Sequence, residues 1–398
     1  MRLFLFLLIL PFVKHAHAQA NETVTWFKGN THTHSYWSDG DDFPEMIMDW
    51  YKSHGYHFVC LSDHNILAEG EKWKLIPAFP SHENRFREYL KKYGEEWVNY
   101  VDSASRIKVK LKTLEEYRPL FEEKGKFLIM QAEEISDRYE KKPVHMGAIN
   151  IKELILPQGG KSVAEVMQNN LDAVYKQRAR TAQPMFAHIN HPNFMWGISL
   201  EDMMKLNGER FFEVYNGHPM VYNYGDSLRP GTEEMWDRLL LDGIKKNKPL
   251  IYGLATDDAH NYLRYSVRDS NPGRGYVMVK AHELTASAIV EAMENGDFYS
   301  TTGVELTDIV FAKQKLSVKV KQQQGVTYTI KFFGAKADSM EPVLLREVKG
   351  NKAHYTFKKG DAYVRAKIIS SRYKENPFKE GDFETAWTQP ILNTHTAR

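Results

Sequence analysis

The 398 residues are 42% hydrophobic and 26% charged, a composition typical of a globular protein with one large domain or one large and one small. Lys and Arg total 53 against 51 Asp and Glu, and this near balance excludes a strongly basic nucleic-acid surface and an acidic tail. A single cysteine, Cys60, excludes an intrachain disulfide framework and a cysteine-rich zinc module, and its place in an apolar run indicates a buried hydrophobic residue.

Residues 1–18 have the pattern of a secretory signal peptide. Arg2 precedes an apolar run over 3–13, and Ala16-His17-Ala18 places small residues at the cleavage positions. A membrane anchor is the alternative, but a span needs about 20 apolar residues and this run is much shorter. We therefore predict cleavage after Ala18 and a periplasmic or secreted protein without stable membrane insertion.

The rest of the chain alternates between apolar strands and helices, which predicts an α/β fold with a β–α–β opening. Residues 69–123 are charged and are predicted to be a helical excursion outside the core, with Ser81 and Thr113 as helix N-caps. In chain order, the other predicted elements are a strand from Trp26 to about His34, a helix over Pro44–Ser53 that Gly55 ends, strands over 57–62, 126–131 and 144–150, a helix over 162–180, strands over 184–189 and 211–215, a helix over 232–241, a strand over 250–255 and a last α/β unit over 276–299.

After Gly303 the pattern changes to alternating apolar and polar residues with turn signals between the runs. This predicts a small antiparallel β unit that is structural or orients substrate. The predicted organisation is therefore a signal peptide (1–18), a large α/β domain (19–304) and a small β-rich C-terminal domain (305–398).

Histidines and carboxylates recur at the ends of the predicted strands, which is where barrels and open parallel sheets place their active sites. The pairs His32/His34 and Asp258/His260 are each spaced i, i+2, so both side chains of a pair face the same way in an extended segment. Each residue alone is more often an ordinary polar residue. Together they predict a metal centre, whose candidate ligands are His32, His34, Asp39, His64, Glu134, His145, His191, Asp258 and His260.

Imidazole and carboxylate ligands without thiolates suit Zn, Mn or Fe in a hydrolytic site. Nine ligands are too many for one ion, so two or three divalent metal ions are expected. Three neighbouring pairs leave the ligand open at this point: Glu133 or Glu134, His188 or His191, and Asp257 or Asp258.

The motifs in this order resemble the PHP (polymerase and histidinol phosphatase) superfamily over residues 25–305. Segments around residues 187–194, 213–219, 272–279 and 296–304 are similar to its carbaryl hydrolase-like branch. The motifs that carry the family resemblance are His32-Thr-His34, Asp39, Ser62-Asp-His64, Ala132-Glu-Glu-Ile-Ser136, His145, His191-Pro-Asn193 and Asp258-Ala-His260.

The resemblance implies a distorted PHP-type β/α barrel with a small C-terminal antiparallel β unit, and a trinuclear site at the barrel's C-terminal face. It favours Glu134, His191 and Asp258 over their neighbours, which leaves His188 for a supporting or substrate role. It implies that His32, His34, Glu134 and Asp258 hold one metal, that Glu134, His145 and His191 hold a second, and that Asp39, His64 and His260 hold a third.

Other residues near these motifs are candidates for catalysis or substrate binding. Asp63 is expected to orient a ligand or the nucleophile, and His188 and His218 to protonate the leaving group. Arg274 is a candidate for anion binding. Trp196 and Tyr215, with Trp37, are candidates for an aromatic wall around the substrate, although core packing is the usual role of such residues.

The sequence thus predicts a secreted metal-dependent hydrolase, foremost a phosphoesterase that uses a metal-activated hydroxide on a small-molecule phosphate ester. The alternatives are hydrolysis of a carboxylic or carbamic ester or amide at the same site, as the nearest branch implies, and a non-catalytic envelope protein that binds a metal or ligand. Nucleic acid is not an expected partner, and the oligomeric state is not predicted.

Overall fold

The computed structural model of the chain describes residues 24–103, 106–339 and 341–393, so the predicted signal peptide lies outside the described residues. The helices are α1 (Pro44–Ser53), α2 (Pro80–Tyr93), α3 (Leu114–Phe121), α4 (Val163–Thr181), α5 (Leu200–Met203), α6 (Thr232–Lys245) and α7 (Ala286–Glu294). The strands are β1 (Thr25–Asn30), β2 (Phe58–Leu61), β3 (Trp73–Leu75), β4 (Tyr100–Ser103), β5 (Arg106–Lys110), β6 (Leu128–Tyr139), β7 (Lys142–Ile149), β8 (Phe186–Ile189), β9 (Phe211–Asn216), β10 (Tyr252–Thr256), β11 (Tyr276–Ala281), β12 (Phe298–Thr301), β13 (Leu306–Ala312), β14 (Lys315–Val320), β15 (Tyr328–Lys336), β16 (Val343–Lys349), β17 (Lys352–Thr356), β18 (Asp361–Tyr373), β19 (Phe383–Thr388) and β20 (Ile391–Leu392).

A large mixed sheet organises the fold, with strand order β10-β9-β8-β7-β6-β2-β1-β11-β12-β19-β18-β15-β16 and with β20 paired to β18. The pairs β1–β2, β2–β6, β8–β9 and β9–β10 are parallel, as the β–α–β opening predicts, whereas β7 is antiparallel to both of its neighbours. Parallel neighbours end at the same edge of a sheet, so polar residues that follow several of these strands meet there.

The two ends of this strand series approach each other at the same edge. Thr33, just after β1, forms an isolated parallel bridge with Ala259, just after β10. Ser300 of β12 accepts a hydrogen bond from the Ala255 N–H and donates one to the Gly253 carbonyl of β10. Among the described residues no continuous ladder joins β10 to β1 or β12, so the fold is established as a mixed α/β sheet and the closed barrel stays a prediction.

Helices cover this sheet with apolar faces. Ile47, Met48 and Tyr51 of α1 are buried with residues of β2 and α3, and the helix begins at a proline, which its fixed φ favours at that position. Ser162 caps α4, since its side chain accepts a hydrogen bond from the Glu165 N–H. Cys60 is fully buried in β2, which confirms its prediction as a hydrophobic residue.

Residues 69–123 contain more than the predicted helices. The strands β3, β5 and β4 form a separate three-stranded antiparallel sheet between α2 and α3. Thr113 caps α3 in a capping box, as predicted. Ser81 as an N-cap was wrong, because Pro80 already occupies the first helical position and Phe79 is the N-cap residue.

The strands after residue 304 are antiparallel, as the alternation predicts, and some of them extend the main sheet because β19 pairs with β12. Arg365 of β18 binds Asp237 of α6 through two hydrogen bonds of 2.7 and 2.6 Å. This buried ion pair anchors the C-terminal strands on the helices of the first part. No helix in the described part of the chain is both long and apolar enough to cross a membrane.

Candidate metal centre

All nine predicted ligands converge at the edge where β1, β2 and β10 end, around Glu134 in the middle of β6. They form four overlapping groups, in each of which the ligand atoms lie within 4.8 Å of one another. These groups are His32, His191 and Asp258; His32, His34 and Glu134; His64, Glu134 and His145; and His34, Asp39, His64 and His260. The partition differs in detail from the one the resemblance implies, since His191 lies with His32 and Asp258, and His145 lies with His64.

The two histidines after β1 meet as their i, i+2 spacing predicts. The Nε2 atoms of His32 and His34 are 3.1 Å apart, and both rings are fully buried. Two backbone hydrogen bonds hold this segment against the chain after β10. The Asp258 N–H donates to the His32 carbonyl at 3.0 Å, and the His34 N–H donates to the Ala259 carbonyl at 2.9 Å. Asp258 has a left-handed backbone (φ 49°), an unusual conformation for a non-glycine residue that recurs at functional sites.

The Glu134 carboxylate lies at the middle of the cluster. Its Oε1 is 3.2 Å from His145 Nδ1 and 3.1 Å from His191 Nε2, and its Oε2 is 2.7 Å from His64 Nδ1. Burial by itself would raise the pKa of the Glu134 carboxyl. The surrounding imidazoles, among which His64 has the largest effect, outweigh burial and hold this pKa well below its usual range. A carboxylate with each oxygen facing different imidazoles has the placement of a bridging ligand.

The cluster opens to solvent on one side. The Asp39 side chain is 58% exposed and lies 3.4 Å from both His64 Nε2 and His260 Nε2. The His64 and His260 rings are partly accessible, whereas His32, His34 and Glu134 are sealed below them. A small molecule can therefore reach the cluster from the Asp39 side.

The donor set fits divalent cations. Buried imidazole nitrogens face one another at hydrogen-bonding distance, and Nδ1 of His34 is buried without a hydrogen-bond partner. Burial and the adjacent His260 and His64 lower the pKa of His34 to about 3, so its ring is neutral and carries a free lone pair. Imidazole nitrogens and carboxylate oxygens that share a buried space are the ligands that Zn²⁺, Mn²⁺ and Fe²⁺ use.

Each of the three neighbouring pairs places one member in the cluster and one outside it. Glu133 points away from Glu134 and accepts a hydrogen bond from the Ile155 N–H at 2.7 Å. Asp257 accepts hydrogen bonds from the Tyr51 hydroxyl and the Gly275 N–H, at 2.9 and 2.8 Å.

His188 is fully buried and packs against Gly147, where an added Cβ would lie 2.1 Å from its Nε2. Burial lowers its pKa to about 4. Its Nδ1 is 3.9 Å from the Glu213 carboxylate, and neither ring nitrogen makes a hydrogen bond. The structure thus places this predicted proton donor under the cluster rather than at its open side.

Asp63 supports the loop that carries Asp39. One of its oxygens accepts hydrogen bonds from the Ser35 N–H (2.8 Å) and the Ser38 hydroxyl (2.6 Å), and the other accepts one from the Ser35 hydroxyl (2.7 Å). The side chain is buried and both oxygens are engaged in these bonds. Its contacts suit a residue that orients a ligand loop.

His218 borders the open side of the cluster. Its ring is 5.6 Å from that of His260, and its Nδ1 accepts a hydrogen bond from the Met220 N–H at 3.1 Å. A neutral His218 therefore carries its proton on Nε2. Burial lowers the pKa of His218 to about 4, which makes it a neutral hydrogen-bond donor at physiological pH.

Two of the three predicted substrate-binding residues, Arg274 and Tyr215, are buried and held by other parts of the protein. The Arg274 guanidinium is buried and donates hydrogen bonds of 2.8 to 3.0 Å to the carbonyls of Gly217, Ser266 and Asn376. Its donors are therefore used within the protein. Tyr215 is buried, with its ring stacked near Trp387.

Trp196 is partly exposed, and the Tyr222 ring stacks on it at 4.7 Å with 5° between the planes. The Arg229 guanidinium lies 3.8 Å over the Trp196 ring. Trp37 is buried and donates to the Lys112 carbonyl at 3.1 Å, so it belongs to the core.

Sequence reasoning missed the buried carboxylate of Glu213. Its Oε1 accepts from His32 Nδ1 at 2.6 Å and from the Thr256 hydroxyl at 2.9 Å. Its Oε2 accepts from the His191 N–H and from Asn216 Nδ2, both at 2.8 Å. This contact orients the His32 ring and directs its Nε2 toward His34 and Asp258, as supporting carboxylates do beside candidate metal ligands. The available signal was a lone carboxylate inside the apolar strand β9.

A second missed feature is a pair of lysines, Lys72 and Lys74, beside the open side. Their ammonium groups donate to the carbonyls of Trp37 and Ser38, the two residues before Asp39. Burial, and then the neighbouring Lys72, lower the pKa of Lys74, whereas Asp39 and Asp63 oppose this. Within the described residues neither ammonium has an ion-pair partner. We call Lys72 and Lys74 the lysine pair.

Two solved structures match the chain at low sequence identity. One, from Bacteroides vulgatus ATCC 8482, is a two-domain protein described as containing a predicted PHP-like metal-dependent phosphoesterase; it is 16% identical with a TM-score of 0.41, over 92% of this chain and 96% of that one. The other, from Bifidobacterium adolescentis ATCC 15703, has been suggested to be a metal-dependent phosphoesterase; it is 13% identical with a TM-score of 0.28, over 59% and 88%. No family model and no curated protein matches the chain.

At this degree of likeness, an assignment of activity depends on the residues of the site itself.

Proposed function

We propose that this protein is a PHP-superfamily metal-dependent phosphoesterase that hydrolyses a small phosphate ester. The observation that carries the proposal is the convergence of nine imidazole and carboxylate ligands into one cluster that is open at Asp39. The lysine pair at that opening favours an anionic substrate over a neutral one. We further propose that the protein is exported, with residues 1–18 as its signal peptide.

The nine side chains would hold two or three divalent ions, with the Glu134 carboxylate at the centre of the set. When bound, such ions supply an activated water as the nucleophile and take up charge on the phosphate oxygens. His218, whose Nδ1 accepts the Met220 N–H, would offer its Nε2 proton as a hydrogen bond to an oxyanion at the open side. Asp63 holds the Ser35–Asp39 loop in place, and the lysine pair attracts the phosphate.

A carboxylic or carbamic ester or amide hydrolase is the second candidate, because the same metal chemistry attacks a carbonyl carbon. The carbaryl hydrolase-like motifs favour it, whereas the unpaired positive charge of Lys72 and Lys74 does not. A non-catalytic binding protein is the third. It is the least favoured, because the full ligand set leaves no gap and the cluster is accessible from solvent.

A substrate panel tests the proposal directly. We expect protein loaded with Mn²⁺ or Zn²⁺ to hydrolyse p-nitrophenyl phosphate or bis-p-nitrophenyl phosphate at least about a hundredfold faster than naphthyl acetate or a naphthyl carbamate, relative to each uncatalysed rate. Activity should disappear with a chelator and return with added metal. Turnover of the carboxylic or carbamic esters alone would replace the phosphoesterase by the second candidate. An inert, fully metal-loaded protein would favour the third.

The lysine pair gives a sharper test of the substrate charge. We expect Lys74→Gln to raise KM for p-nitrophenyl phosphate roughly tenfold, equivalent to about 1.4 kcal/mol, because an attractive charge beside the phosphate is lost. The effect should shrink at high salt. Lys110→Gln is the matched control, since Lys110 lies in the same small sheet and pairs with Glu71 instead. Equal KM values for both variants and the unmodified protein would contradict a role for Lys74 in anion binding.

A further inference from the structure

An apolar surface borders the metal cluster on the side of His145 and His191. It is made of Phe194, Met195, Trp196, Met220 and Tyr222, and we call it the apolar rim. Met195, Met220 and Tyr222 are 57%, 52% and 50% exposed, so three large apolar side chains lie in water beside a polar site. An exposed patch of this kind in a soluble protein marks a binding surface.

The rim is continuous with the metal centre. The Phe194 ring is 5.0 Å from the His191 ring, 6.3 Å from the His145 ring and 5.7 Å from the His218 ring. A substrate whose reacting group sits among these imidazoles therefore has its next substituent within reach of Phe194. This neighbourhood argues for an occupant that also enters the metal site.

The backbone of the rim is built in an uncommon conformation. Met195 and Trp196 are consecutive left-handed residues (φ 49° and 56°) in a turn closed by a 3.0 Å hydrogen bond from the Gly197 N–H to the Phe194 carbonyl. Turns of this type normally carry Gly, Asn or Asp at these positions. Met and Trp are strained in this conformation, so the turn carries large apolar side chains at a local conformational cost. Strained backbone of this kind recurs at functional sites.

Neighbouring elements hold the turn rigidly against the centre. Gly197 packs so closely that an added Cβ would lie 2.2 Å from the carbonyl oxygen of Pro143, in the strand that carries His145. Asn193 donates to the Tyr222 carbonyl at 2.9 Å, and Phe194 forms a bridge with Val221. The rim is thus a preformed surface that joins two loops, and binding to it costs little ordering.

We infer that the apolar rim binds a hydrophobic substituent of the substrate, such as an aryl group, while the phosphate occupies the metal cluster. This inference rests on the proposed function for the identity of the anionic group. It specifies the substrate class as a phosphate ester with one large apolar group. The rim takes the place of Trp37 and Tyr215 as the predicted aromatic contact surface, because those two residues are buried elsewhere.

The test compares two non-hydrolysable ligands that differ only in the apolar group. We expect metal-loaded protein to bind phenylphosphonate at least about tenfold more tightly than methylphosphonate in calorimetric titrations, with a more negative heat-capacity change. The double variant Met195→Asn/Met220→Asn should reduce this preference to about twofold or less. Asn tolerates the left-handed backbone at position 195, so this change removes apolar surface without added strain.

Leu156→Asn is the control, because Leu156 is 63% exposed and is not part of the rim. It should keep the preference of the unmodified protein for phenylphosphonate over methylphosphonate. An unchanged phenyl preference in the double variant, or no preference in the unmodified protein, would overturn the inference while leaving phosphoesterase activity intact. The opposite result is also distinguishable. If the protein hydrolyses no phosphate ester but prefers phenylphosphonate, and the double variant loses this preference, the proposed function is refuted and the rim remains a binding surface for apolar groups.

Discussion

Glu134→Gln is expected to reduce kcat at least about a thousandfold, because the side chain at the centre of the cluster loses its negative charge. Its two oxygens face imidazoles on different sides. A neutral amide has only one oxygen and no charge, so it cannot replace the carboxylate on both sides. We expect metal content, measured by atomic emission on dialysed protein, to fall by at least one ion per chain. Circular dichroism should show that the variant remains folded.

Glu133→Gln provides the matched control on the adjacent residue. Glu133 accepts a hydrogen bond from the Ile155 N–H, and burial raises its pKa to about 8, so its carboxyl is already protonated at neutral pH. An amide of the same shape should leave metal content and kcat within about twofold of the unmodified protein. If Glu133→Gln lost metal while Glu134→Gln retained it, the assignment of the bridging ligand would be reversed.

Glu213→Gln is expected to weaken metal binding by about 10- to 100-fold, although Glu213 is not one of the nine ligands. All four hydrogen-bond partners of its carboxylate are donors, so the amide NH₂ of Gln would face donors on one side. His32 would then lose the acceptor that holds its proton on Nδ1. Metal titration followed by activity should show that excess metal restores a substantial part of kcat.

Glu209→Gln serves as the control for this substitution. Glu209 lies just before the opposite end of β9 and contacts Lys248 at 3.5 Å, away from the cluster. The metal affinity of this variant should not change. A Glu213→Gln protein with normal metal affinity and kcat would show that the contact with His32 does not tune the site.

The lysine pair and the apolar rim together suit a substrate with two different ends. The lysine pair lies at the Asp39 side, next to the carbonyls of Trp37 and Ser38. The rim lies at the His191 side, through Phe194. A phosphate ester with an apolar substituent matches both surfaces, whereas a neutral ester matches only the rim.

Several features of the site could be predicted from local sequence because their geometry is local. Residues two apart in an extended segment face the same way, which brought His32 and His34 together. Ligands that follow parallel strands meet at one sheet edge, so the strand pattern also predicted the place of Asp258.

Other expectations failed or were incomplete because a competing local effect decided the outcome. Pro80 set the start of α2 in place of Ser81 as its cap. The strands β3, β4 and β5 are only three to five residues long, so their period-two alternation was obscured by the charged surroundings. That small sheet positions the lysine pair beside the site, with Lys74 in β3 and Lys72 just before it.

The sequence by itself determined which side chains are candidate metal ligands and that most of them follow predicted strands, because ligand chemistry and side-chain alternation are properties of short segments. Only the tertiary structure decided which ligands share a group, and that Glu213 supports His32. Glu213 and His32 are 181 residues apart, and His34 and Asp258 are 224 apart. Their contacts depend on strand order and register in the whole sheet, which the burial of its apolar faces selects.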